Sequence, residues 1–102
     1  MRHYKVILRP EAMASVDEVV DFVKSIYTEE SAQKYRESVL FELESLSYYA
    51  SIFPLSRFHT AREIHPQART IPILKRRWTV VYHIERDFVI VDRILLSKTM
   101  AE

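Results

Sequence analysis

Trp78-Thr79-Val80-Val81-Tyr82-His83-Ile84 and, after a short break, Phe88-Val89-Ile90-Val91-Asp92-Arg93-Ile94-Leu95-Leu96 decide the fold of this chain. In the first segment Trp78, Val80, Tyr82 and Ile84 alternate with Thr79, Val81 and His83, the period of a strand with one face in a core. The second opens on Phe88-Val89-Ile90-Val91, an almost unbroken apolar run of the kind found in a central strand covered on both faces. Glu85-Arg86-Asp87 joins the two as a hairpin. Toward the N-terminus, Lys75-Arg76-Arg77 is a second hairpin connection and Thr70–Leu74 is its other strand. Pro72 inside that strand points to an edge position or a bulge, because proline has no N–H to give a central ladder. Ala61–Ile64 reads as a short extra strand, and Ser51–Thr60, with Pro54, as the connection before it.

Upstream of residue 60 the period becomes helical. Met13, Val16, Val20, Val23 and Tyr27 recur at three- and four-residue steps, widened by Val19 and Ile26, so a helix is predicted over 11–26. Pro10 opens it, at a position where a missing N–H costs nothing. Thr28 caps a second helix over 29–50, with Glu29 and Glu30 at the positive end of its dipole. Its apolar stripe is Ala32, Tyr35, Val39, Leu43, Leu46 and Ala50. Residues 3–9 form the first strand, with Tyr4, Val6 and Leu8 on one face. The order β-α-α-β-β-β specifies an α+β fold, an antiparallel sheet with two helices packed on one face. No repeat, linker or low-complexity tract divides the chain, so 1–102 reads as one domain.

Composition removes whole classes of function. With 48% hydrophobic residues the chain can build a core, yet it has no apolar run of about 18 residues, so no membrane association is expected. The opening Met1-Arg2-His3-Tyr4-Lys5 lacks the apolar core and cleavage site of a secretory signal, which makes the cytoplasm the expected location. The absence of cysteine excludes a disulfide framework, a thiolate zinc site and a cysteine nucleophile. The absence of glycine excludes glycine-rich phosphate loops and dinucleotide fingerprints, and no cofactor is expected. Asparagine is missing too, so the turns are predicted to be long or to avoid positive φ. The net charge of +1 conceals an asymmetry: residues 1–55 hold six Lys/Arg against nine Asp/Glu, while 56–98 hold nine against four. A basic C-terminal half suits an anionic partner, or a solvated sheet face.

With these elements in place, the chain resembles the RelE/ParE toxin superfamily over nearly its whole length. Tyr4-Lys5-Val6-Ile7-Leu8-Arg9-Pro10-Glu11-Ala12 is similar to the family's first strand and its Pro/Ala entry into helix one. Ser31-Ala32-Gln33-Lys34-Tyr35 resembles the start of helix two, and Leu46 followed by Pro54 the exit from it. Trp78–Ile84 and Val89–Leu95 resemble the aromatic–Arg–hydrophobic–hydrophobic–Tyr strand and the following strand that ends in Arg-Ile-Leu. The resemblance implies the toxin half of a type II toxin–antitoxin pair, of the sort associated with plasmid stabilisation and silenced by a cognate antitoxin in a hetero-oligomer. RelE-like members cut mRNA on the ribosome, and ParE-like members poison DNA gyrase. The residue after the third-strand aromatic, usually Arg in RelE-like nucleases, is Thr79 here. The end of the chain, Leu96-Ser97-Lys98-Thr99-Met100-Ala101-Glu102, has no aromatic, and Leu96 stands where ParE-like chains commonly carry His. The implied function is therefore gyrase inhibition, with two alternatives: a ribosome-dependent endoribonuclease, or a degenerate toxin fold kept for antitoxin or operator binding.

Metal-independent RNA cleavage would need a base at the 2′-OH, a cation for the developing charge and a proton donor for the leaving oxygen. His83 is the candidate base and Tyr82 a weak acid. By alternation His83 lies opposite Trp78 and Tyr82, and so points into an open sheet face if the helices cover those two. A lone histidine on an exposed sheet face is more often a structural or idle residue than a catalytic one. Arg69, Lys75, Arg76, Arg77, Arg93 and Lys98 are the candidate target or nucleic-acid contacts. Arg93, inside an apolar strand, must either find a carboxylate such as Glu85 or face an open cleft, because an unpaired buried charge is costly. His59, Glu63 and His65 match no zinc spacing, so no metal site is expected. Tyr48, Tyr49 and Phe53 close the end of the core or form an antitoxin-binding surface.

Overall fold

The computed structural model describes residues 3–100; Met1, Arg2, Ala101 and Glu102, part of the termini read above, lie outside the described residues. The order is β1 (Lys5–Leu8), α1 (Pro10–Ile26), α2 (Glu29–Glu44), α3 (Leu46–Tyr49), α4 (His59–Ile64), β2 (Arg69–Ile73), β3 (Trp78–Glu85) and β4 (Phe88–Leu96). Single 3-10 turns follow α3 and β4. The fold is α+β, with the four strands in the order β1-β4-β3-β2. The sheet is mixed, not antiparallel throughout. β2, β3 and β4 pair antiparallel, but β1 lies parallel to β4, with Lys5 opposite Phe88 and Leu8 opposite Val91. The reason is topological: the chain crosses over through two antiparallel helices before it returns to the sheet, and parallel neighbours need such a crossover. β4 is central, as its apolar run requires, and Pro72 sits on the edge strand β2.

α1 starts at Pro10, and α2 is capped at Thr28, whose Oγ1 accepts from Ser31 N–H at 3.1 Å. The second helix is shorter than predicted: it breaks at Ser45, and Leu46–Tyr49 forms a separate turn that still brings Leu46 and Ala50 into the core. The buried stripe of α1 is Ala12, Val16, Val19, Val20 and Val23. Met13, Ile26 and Tyr27, expected on that stripe, are exposed. The main core lies between these helices and the sheet face bearing Val80, Tyr82, Val89, Val91 and Ile94.

Two further expectations fail. Residues 59–64 are helical, so there is no strand at Ala61–Ile64. That helix, α4, covers the other sheet face, where Ala61, with Ala68 of the segment that follows the helix, packs on Val81, and Phe58, Ile64 and Leu95 lie at the margin. The turns also enter positive φ without glycine, at Leu74, Lys75 and Arg76 in the β2–β3 hairpin and at Arg86 in the β3–β4 hairpin. Right-handed strand twist favours left-handed residues in tight hairpins, and here that demand outweighs a cost of about 1–2 kcal/mol per non-glycine residue.

Candidate functional site

The face opposite the two long helices carries the one buried polar cluster built around a histidine among the described residues. β3 and β4 are in register from Glu85–Phe88 to Tyr82–Val91, after which Val81 pairs with Arg93. Asp92 is thus the extra residue of a β-bulge, and a bulge re-aims side chains. Val91 and Ile94 both reach the main core, while Asp92 and Arg93 both turn to the second face. There Asp92 Oδ2 accepts from His83 Nδ1 at 2.6 Å, with the two side chains only 3% and 4% exposed. A bond that short belongs to the charge-assisted class. The His65 ring stacks on His83 at 3.7 Å between centroids and 4° between planes. His65 is held in turn through Nδ1, which accepts from Gln67 N–H at 3.0 Å. Arg9 approaches the second carboxylate oxygen of Asp92 at 3.5 Å from the solvent side.

The second face is therefore not open at His83: α4 and His65 cover it, so the expected position in an open cleft is corrected. Arg93 is exposed and lines a shallow depression with Arg9, Thr60 and Glu63. Arg69 is half-buried; its guanidinium donates to the Phe53 carbonyl, tying β2 to the segment after α3. Tyr82 is buried in the main core, where its hydroxyl donates to Ala50 O at 2.7 Å and burial pushes the phenol well above its ordinary range. Thr79 Oγ1 and Ser97 Oγ share a hydrogen bond of 2.8 Å.

The other candidate cations converge. Lys75, Arg76 and Arg77 of the β2–β3 hairpin meet Lys98, just past β4, around a cleft of about 550 Å³ floored by Phe22, Trp78 and Leu96. None of the four is ion-paired among the described residues. The Trp78 indole is fixed by its N–H, which donates to Tyr35 Oη at 3.2 Å. At the opposite end of the helices, Tyr48 and Tyr49 border a depression beside edge strand β1, together with Phe41, which is 75% exposed. Phe53 is apart from them, half-buried against the main core.

Sequence reasoning gave no site role to Arg9, Asp92 or Phe22, and weighed His65 only as a metal ligand. Without the bulge Asp92 would pair with Val81 and still share the face of His83, so alternation already places the two together; what the bulge changes is Arg93, which alternation would send into the main core. Phe22 did carry a signal: an aromatic residue on α1 outside the apolar stripe.

No family model and no curated protein sequence matches the chain. Among solved structures it is similar to a chain of the chromosomal ParDE TA system from P. aeruginosa, with a TM-score of 0.76 at 15% identity, covering 92% of this chain and 96% of that one. At that identity the likeness is one of fold, and the fold is RelE/ParE-like. Among the described residues, no helix is long and apolar enough to cross a membrane.

Proposed function

We propose that this protein is the toxin of a toxin–antitoxin module, acting by binding to an essential nucleic-acid machine, most simply DNA gyrase. The fold likeness to a ParDE chain, over more than nine-tenths of both chains, supports the module. The state of His83 carries the choice between binding and cleavage. A general base must come within hydrogen-bond reach of the proton it removes, but His83 is 4% exposed, bonded to Asp92 and roofed by His65. Thr79, at the position where RelE-like nucleases usually hold Arg, is hydrogen-bonded to Ser97 and offers no cation to a phosphorane.

In this reading Lys75, Arg76, Arg77 and Lys98 contact the target, with Arg93 on the second face as a further contact, and Tyr48 and Tyr49 receive the antitoxin. The purified protein is expected to inhibit supercoiling by gyrase or to accumulate cleaved DNA, and to leave message intact in a ribosome-containing translation assay. Lys98→Ala or Arg93→Ala should weaken growth arrest. Codon-position-specific cuts in mRNA would overturn this reading in favour of the ribosome-dependent endoribonuclease.

A further inference from the structure

The cleft beneath the β2–β3 hairpin does not end at Trp78. A second cleft of about 490 Å³ adjoins it, and Phe22, Arg77 and Trp78 line both. The second is walled by Ile26, Tyr27 and Tyr35. The two form one groove with aromatic side chains along its floor and four cations around one half of its rim, and no carboxylate lines either part. Phe22 is 52% exposed and Tyr27 67%, although apolar side chains on α1 had a core to enter. Three consecutive left-handed residues, Leu74 to Arg76, hold the hairpin cations over this groove.

We infer that the groove binds single-stranded nucleic acid, with unpaired bases on the aromatic floor and backbone phosphates on Lys75, Arg76, Arg77 and Lys98. Flat apolar units linked by anions at short intervals are what an aromatic floor with a cationic rim complements. Arg77, in the wall shared by the two clefts, is placed for the phosphate that links one bound base to the next. The inference takes the target-contact role of these cations from the function proposed above and narrows the ligand to an unpaired strand. It is independent of the His83 cluster, which lies on the opposite sheet face.

Trp78 is the only tryptophan in the chain, so its fluorescence reports directly on the groove. The test titrates the whole protein with a 12-nucleotide oligo-dT, an abasic strand of the same length and a poly-glutamate of matched charge. Oligo-dT should quench Trp78 and bind at least about tenfold more tightly than either control, since base–aromatic stacking accounts for roughly that factor. Phe22→Ala, at an exposed position, should lose about tenfold for oligo-dT and nothing for the abasic strand. Lys98→Ala should reduce the log–log salt slope by about 0.7, the share of one phosphate contact on a single strand. Equal binding of oligo-dT and the abasic strand, or tighter binding of poly-glutamate, would overturn the inference, the latter in favour of an acidic protein segment. Loss of gyrase inhibition in Lys98→Ala without any oligo-dT binding would sink the inference and leave the toxin reading standing. Oligo-dT binding without any effect on gyrase would do the reverse.

Discussion

At the scale of single residues, the decisive contact is Asp92–His83, a carboxylate and an imidazole excluded from water and satisfied mainly by each other. Removing one member of such a pair strands the other. His83→Ala is expected to lower unfolding free energy by about 3–5 kcal/mol, whereas replacing both residues with apolar side chains should cost far less than the sum of the single changes. A double-mutant cycle in urea checks this, and additive single effects would refute it. The same experiment guards against misreading lost toxicity in His83→Ala as lost catalysis.

Tyr82 offers a second residue-scale test. Its phenol is raised by burial, an effect partly offset by the Arg69 guanidinium. The folded state therefore favours the neutral form. The stability this contributes is complete below the ordinary tyrosine value of about 10 and is lost as pH rises beyond it, by up to about 1.4 kcal/mol per unit. Tyr82→Phe should lose about 0.5–1.5 kcal/mol at neutral pH with the bond to Ala50 O. It should also show a flatter decline than the parent in urea melts between pH 9 and 11.

Elements show how local chemistry yields to packing. The β2–β3 hairpin sets Leu74, Lys75 and Arg76 in left-handed backbone although glycine is absent from the chain. Lys75→Gly, at an exposed position, should raise stability by about 1 kcal/mol through relief of that strain. It should weaken oligo-dT binding at the same time, because it removes a rim cation. A rise in both would detach the strained turn from function. The α2 cap is a simpler element: Thr28→Ala should cost about 1 kcal/mol in thermal or urea unfolding, since Ser31 N–H loses its acceptor.

For the whole molecule, five exposed aromatics form two groups at opposite ends: Phe22 and Tyr27 by the cationic hairpin, and Phe41, Tyr48 and Tyr49 beside edge strand β1. If the second group receives an antitoxin, co-expression with the neighbouring gene should give a complex that survives size exclusion at micromolar concentration. Phe41→Ala with Tyr48→Ala should then weaken it by tenfold or more, on the scale of an interface anchor, while unfolding changes little. A complex indifferent to both changes would place the antitoxin elsewhere.

The strands at 78–84 and 88–96, the Pro10 and Thr28 helix starts and the core residues Val80, Tyr82, Val89 and Val91 were all legible from period and capping, because local sterics and burial write themselves into spacing. So were the identities of the cations at the β2–β3 hairpin. Tertiary structure alone decided three things. It made β1 parallel to β4, a consequence of the helical crossover. It laid α4 across the second face, closing the site that alternation left open at His83. It inserted a bulge at Asp92, which turned Arg93 away from the main core to the second face and returned Ile94 to the core. Each depends on contacts between residues distant along the chain, where packing overrides local preference, and a one-residue shift in register moves a side chain from one face of a sheet to the other.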